Sequence, residues 1–165
     1  MMRILAIDPG PKTCGVVLYD TGAARVLDAD KARTVEDVLA QITRMAASDD
    51  PIDLVACERV QSYGISGAHL LQTAEIFGRV FERVGIAGLP FAPLYRREVL
   101  RELDLLGARG NRDAAVRERM IEMHGGTKRA ACGLKASPGP LYGVSSHAWQ
   151  ALGLAVAVAS LGLRR

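Results

Sequence analysis

Cysteine is scarce in this chain, and no two cysteines are close together. The 165 residues hold three, Cys14, Cys57 and Cys132, with no Cys-x-x-Cys pair. That spacing excludes a disulfide framework and a zinc knuckle, and it makes a reducing cytoplasm the expected compartment. Cys14 and Cys57 fall in runs that read as strands, where a thiol serves as a small core side chain. A membrane-spanning run is also lacking. The almost wholly apolar stretch from Ala148 to Leu163 is short for a span and carries Gln150 and Ser160, so it reads as a buried helix. No secretory leader is expected, because Met1-Met2-Arg3 leads straight into a strand. Nor is there a large excess of one charge: 21 basic residues face 18 acidic ones, for a net charge of +3. The length suits a single domain spanning 1–165 that can bury a core without staples.

What is present begins at Ile4-Leu5-Ala6-Ile7-Asp8-Pro9-Gly10. A short apolar run that stops on a carboxylate and turns on Pro-Gly reads as a strand buried on both faces. It leaves Asp8 at the mouth of a sheet. The layout recurs in Asp53-Leu54-Val55-Ala56-Cys57-Glu58. One strand ending in Asp is commonplace, since Asp starts turns and caps the next element. Two such strands, each ending in an acid, are what a divalent-metal site on an open sheet requires.

Between and beyond these strands the pattern alternates. Cys14 to Tyr19 and Arg25 to Ala29 read as strands joined by a hairpin-like Asp20-Thr21-Gly22 turn. Thr34 is a plausible N-cap, and Val35, Val38, Leu39, Ile42 and Met45 recur at helical spacing. A longer helix is predicted from about Ser66 to Val84. Its stripe of Leu70, Ala74, Phe77, Phe81 and Val84 is either core, the more frequent case, or a subunit interface. Leu89 to Leu94 reads as an exposed edge strand because of its two prolines. A further helix runs from about Asp113 to His124 and ends on Gly125-Gly126. Gly125 to Gly143 reads as a mobile basic loop. Ser145 or Ser146 is expected to cap the last helix, with His147 in its first turn; His69 and His124 read as surface or cap residues. Three leading strands followed by alternating units give a five-stranded mixed sheet, an α/β fold with helices on both faces.

Charge is unevenly placed. Seven arginines lie between Tyr95 and Arg119 against five acids. Arginine suits two-pronged contact with phosphate, although a solvated helix face explains much of such an excess. Arg96, Arg97 and Arg112, with Lys128, Arg129 and Lys135, are the candidates for contact with a DNA backbone. Tyr63, just past Glu58, is a candidate aromatic wedge against an unstacked base, or else an ordinary loop tyrosine.

Asp8-Pro9-Gly10 after the first strand, Glu58 after the fourth and His147 opening the last helix resemble the RuvC-type junction resolvases of the ribonuclease H-like superfamily. The resemblance covers most of the chain through the same element order. Glu58-Arg59-Val60 and the helix through Phe77-Gly78-Arg79 look like that family's dimerising region, and His147 to Ala155 is similar to its closing metal-binding helix. Tyr95 to Val99 and Gly139 to Val144 resemble a branch of small RuvC-like proteins of phages and prophages.

This likeness implies a ribonuclease H-like fold and a homodimer that nicks four-way (Holliday) junctions or related branched DNA. It also implies two Mg²⁺ ions, with Asp8 as the ligand shared between them, Glu58 on one and His147 completing the set. His147 stands where many members carry Asp and some carry His. Gln150 stands where the commonest pattern carries a second Asp, so it would offer an oxygen without charge. Two formal carboxylates are few for Mg²⁺, and Mn²⁺ tolerates an imidazole better. Two other classes stay open. An actin-like or sugar-kinase-type ATPase shares the first-strand Asp-x-Gly but needs two related domains. A non-catalytic branched-DNA binder would keep the fold without competent metal binding.

Overall fold

The computed structural model describes residues 2–62, 64 and 67–162, with only the backbone of residue 31; Tyr63 lies outside the described residues. Strands β1 (Arg3–Asp8), β2 (Cys14–Asp20) and β3 (Arg25–Arg33) form an antiparallel meander. Helix α1 (Val35–Ala46), strand β4 (Leu54–Arg59), helix α2 (Ala68–Ile86) and strand β5 (Phe91–Tyr95) follow. β4 pairs parallel with β1 and β5 pairs parallel with β4, giving a five-stranded mixed sheet in the order β3-β2-β1-β4-β5. Helices α3 (Arg96–Glu102), α4 (Arg112–Met123) and α6 (Ala148–Ser160) complete the described chain, together with a short α5 (Lys128–Cys132) and the two-residue strands β6 (Gly133–Leu134) and β7 (Ser137–Pro138). β5 does lie at the edge of the sheet, where Pro90 and Pro93 cost few ladder hydrogen bonds.

Side-chain alternation along the strands feeds two cores. Ile4, Ala6, Val17, Tyr19, Leu54 and Ala56 pack on the side of α3, α4 and α6, while Leu5, Ile7, Val16, Leu18, Val55 and Cys57 pack on the side of α1 and α2. Helix α6 is apolar all round because it is buried all round, from Ala148 to Val158. It lies so close to its neighbours that a Cβ on Gly153 would meet Val116 Cγ1 at 2.7 Å. Helix α1 begins on Thr34, whose hydroxyl accepts from the Asp37 N–H while the Asp37 carboxylate accepts from the Thr34 N–H, a reciprocal cap. Both strand cysteines are buried, and burial pushes their thiols up, so neither is poised as a nucleophile.

Three expectations need correcting. The core stripe of α2 is Thr73, Ile76, Val80 and Val84, offset from the predicted one. Ala74 and Phe81 are exposed and Phe77 only half-buried, because the stripe that alternates by four and three also fits a helix edge, where Phe77 and Phe81 stack on Phe91. The segment Gly125–Gly143 is folded: α5 is capped by Thr127, the β6–β7 hairpin follows, and Ala131 and Leu141 are fully buried. Its glycines and prolines serve close approach, since a Cβ on Gly139 would lie 2.4 Å from the Ala131 carbonyl oxygen. His147 itself is the N-cap of α6, so the helix starts one residue later than expected, after Ser146 at a positive φ of 47°.

Candidate active site

The C-terminal ends of the parallel strands carry the site. Ile7 of β1 stands beside Cys57 of β4, which brings the next residues, Asp8 and Glu58, level with each other. By alternation both carboxylates point to the face that carries α3, α4 and α6, following Ile4 and Ala6 on one strand and Leu54 and Ala56 on the other. Ligands of open α/β sheets bind at this kind of crevice, outside the carboxyl ends of adjacent strands.

Burial makes the pair costly. It pushes the Asp8 carboxyl up to about 6, against the pull of the Arg96 guanidinium and with a further push from Asp113. Burial likewise lifts Glu58 to about 7, again opposed by Arg96 and reinforced by the charges of Asp8 and Asp113. Two desolvated acids side by side, with the charge of Asp8 raising Glu58 further, are the pattern of a functional carboxylate pair.

The last helix reaches the site through Gly15. Gly15 is the cross-strand partner of Asp8, and a Cβ placed on it would lie 2.5 Å from the His147 carbonyl oxygen and 3.0 Å from the His147 Cβ. Only glycine lets the start of α6 press against β2 there. The His147 side chain is exposed and makes no cap hydrogen bond. Among the described residues no three of His, Cys, Asp or Glu gather closely enough to hold a metal ion. The structure therefore brings Asp8 and Glu58 together, sets the His147 backbone against the strand beside Asp8, and leaves its imidazole outside a ligating cluster. Gln150 is buried one turn along α6. Its Nε2 donates to the Asp113 carbonyl at 3.3 Å, and its Oε1 is buried with no hydrogen-bond partner.

Sequence reading missed Asp113. An acid in the first turn of α4 reads as a helix-dipole partner, and Asn111 does cap that turn. Yet Asp113 also accepts from Arg96 Nη2 at 2.5 Å, while Arg96 Nη1 donates to Glu58 at 3.3 Å. Asp113 further lines a cleft of about 340 Å³ with His147, Gln150, Asn111, Arg117 and Ser146. No local pattern signals this contact, because Arg96 and Asp113 belong to different helices.

The candidate phosphate contacts divide in two. Arg96, Arg97 and Arg112 line one cleft of about 450 Å³, floored by Leu100 and Leu106. Lys128 and Arg129 stand exposed on α5 and Lys135 on the β6–β7 turn, outside that lining. His124 is the C-cap of α4, and its ring contacts the Tyr19 hydroxyl at 3.1 Å and the Met120 carbonyl at 2.8 Å; His69 is exposed.

The residues present go some way toward fitting a hard divalent cation. Two adjacent desolvated carboxylates offer oxygen donors, the Gln150 amide oxygen on α6 is buried without a partner, and the positive charge already beside them is the Arg96 guanidinium on Glu58. Asp8 and Glu58 are the members of this set that would hold the cation.

An antiparallel meander running into parallel strands, with an acid on each of the two central strands, is the ribonuclease H-like fold. Solved structures similar to this chain include two of RuvC from Thermus thermophilus. One, in complex with a Holliday junction substrate, has 22% sequence identity and a TM-score of 0.68, covering 98% of this chain and 95% of that one. Another has 23% identity and a TM-score of 0.66 over the same shares of the two chains. No family model matches the sequence, and no curated protein matches it. The likeness is one of fold.

Proposed function

We propose that this chain is a metal-dependent, structure-selective endodeoxyribonuclease that nicks four-way junctions or related branched DNA, acting as a homodimer in the cytoplasm. The observation that carries this reading is the desolvated Asp8–Glu58 pair at the ends of two parallel strands, in the fold of RuvC. The RuvC structure in complex with a Holliday junction substrate supports the substrate class.

Asp8 and Glu58 would hold the cation, with His147 at the N-cap of α6 and Gln150 in its first turn completing its shell. Mg²⁺ or Mn²⁺, two per site in the full form of this reading, would supply the acidity that activates a water and the charge that steadies the leaving 3′ oxygen. Arg97 and Arg112 would clamp the backbone on either side of the cut from the cleft beside the carboxylates. Lys128, Arg129 and Lys135 would extend that contact along an arm, and Tyr63 is retained as the candidate wedge. The exposed apolar residues of α2, Leu71 and Phe81, are the surface proposed to pair two copies.

A synthetic four-way junction incubated with Mg²⁺ or Mn²⁺, with products mapped at nucleotide resolution, tests the reading. Paired nicks on opposed strands are expected, and their loss in Asp8→Asn. A second reading is favoured by the absence of a three-ligand cluster among the described residues. It is a branched-DNA-binding protein of the same fold that does not cut, and tight junction binding with no nick in either ion would select it.

A further inference from the structure

We propose that Arg96 is a resident counter-cation of the acidic site, whose guanidinium holds the place at Glu58 that a divalent cation takes when the site is loaded. The inference rests on the assignment of Glu58 as a metal-holding carboxylate.

Its position is built by the fold. Glu58 stands beside Leu94 and Arg59 beside Tyr95, and α3 starts immediately after Tyr95. Arg96 is thus the first residue past the end of β5, beside the end of β4, and no loop intervenes to carry it away. Its guanidinium is then anchored from both sides: Nη1 donates to Glu58 Oε2 at 3.3 Å and Nη2 to Asp113 Oδ1 at 2.5 Å. Among the described residues it is the one cation in an ion pair with Glu58. It also acts on both acids, opposing the effect of burial on Asp8 as well as on Glu58.

A guanidinium and a divalent ion on one carboxylate repel each other, so loading the site requires Arg96 to leave Glu58. Asp113 is exposed and able to follow the guanidinium, at 69% side-chain accessibility. Arg96 therefore stays tethered after release. Its remaining surroundings are the cleft shared with Arg97 and Arg112, where a substrate phosphate would lie. The charge of the metal-free site is partly offset from within, and the cation that offsets it is passed to the substrate when the metal arrives.

The test is a Mn²⁺ titration of the metal-free full chain without DNA, read by the electron paramagnetic resonance signal of the free ion. Arg96→Met is expected to bind Mn²⁺ about tenfold more tightly than the parent, because it removes a competing charge. Arg96→Gln keeps a hydrogen-bond donor toward Glu58 and is expected to gain nearly as much. In a Glu58→Gln background either change should improve binding much less, since only the longer-range effect of Arg96 on Asp8 is left to remove. Unchanged or weaker Mn²⁺ binding in Arg96→Gln, while Glu58→Gln still loses the ion, overturns this inference and leaves the metal site standing. Mn²⁺ binding that ignores Glu58→Gln overturns the metal assignment itself.

Discussion

The two faces of the sheet are made by the same strands and meet opposite fates. On the face covered by α1 and α2, Ile7 of β1 and Cys57 of β4 are buried in the apolar core. One residue further, on the face covered by α3, α4 and α6, the same strands carry Asp8 and Glu58. The burial that stabilises Ile7 penalises its neighbour. An apolar side chain removed from water gains free energy roughly in proportion to its area, whereas a carboxylate removed from water loses its hydration and recovers it only from a partner. The acidic face therefore stores a cost that the other face does not carry, and among the described residues Arg96 is the one partner that reduces it for both acids.

Adjacent substitutions on β1 should break this symmetry in opposite directions. Asp8→Asn is expected to reduce junction nicking to the uncatalysed background while leaving junction binding largely intact. Without metal it should also stabilise the fold at pH 8, by on the order of 1–3 kcal/mol. Ile7→Ala should cost about 2–5 kcal/mol through the cavity it leaves. The sign of the pH dependence follows from the raised folded-state values. Asp8, lifted from 3.8 to about 6, and Glu58, lifted from 4.5 to about 7, are penalised only when ionised. Their contribution is fully favourable below about pH 4 and is lost as pH rises through 6 to 7. Melts of the parent minus those of Asp8→Asn, from pH 4.5 to 8, isolate this component. A parent that gains stability relative to Asp8→Asn on going from pH 5 to pH 8 would contradict the desolvated pair.

A second contrast sets the predicted mobile loop against the folded segment. Leu141 is fully buried, and its N–H donates to the Ala131 carbonyl at 2.8 Å. Leu141→Ala should cost about 2–5 kcal/mol in denaturant unfolding, a value a solvated loop could not produce. The cap on α5, where Thr127 accepts from the Ala130 N–H, holds Lys128 and Arg129 on an ordered turn.

These cases show what was legible in the sequence. β1, β2, β4, α1 and α6 could be read because their signals are local: continuous apolar runs, a Thr cap, and an apolar stretch too short for a membrane. The sheet order followed from a meander succeeded by alternating units. Asp8 and Glu58 could be read as a pair because each ends a run that has to be a central strand. The folded state of Gly125–Gly143 could not, since glycine and proline mark turns whether or not the turns are packed, and what orders them is contact with distant elements such as the edge of β3, where the Val26 N–H donates to the Pro140 carbonyl at 2.8 Å. Asp113 stayed hidden for the same reason. Its meaning depends on Arg96, seventeen positions earlier on another helix. The α2 stripe is offset as a reading of the core, though not as the alternative of a subunit interface, because two adjacent stripes of that helix both recur by three and four.

Two glycines carry the comparison to its smallest effects, one on each face. Gly15 belongs to the acidic face, where an added methyl would lie 2.5 Å from a backbone oxygen of His147. A backbone carbonyl at the start of a packed helix cannot turn aside as a flexible side chain would. Gly15→Ala should therefore cost about 1–3 kcal/mol and shift the first turn of α6 away from Asp8, lowering nicking more than junction binding. Gly78 lies in α2 on the other side of the sheet, and a Cβ there meets nothing within 4 Å. In an exposed helix interior alanine replaces glycine at a gain, because less backbone freedom is lost on folding. Gly78→Ala should raise stability by about 0.5–1 kcal/mol at concentrations where the chain is monomeric. The same methyl group also reports on pairing. If two copies pack closely along α2, it would sit in the interface and weaken association seen by sedimentation, although each monomer is more stable. A monomer stabilised with no change in association would move the dimer contact elsewhere on the surface.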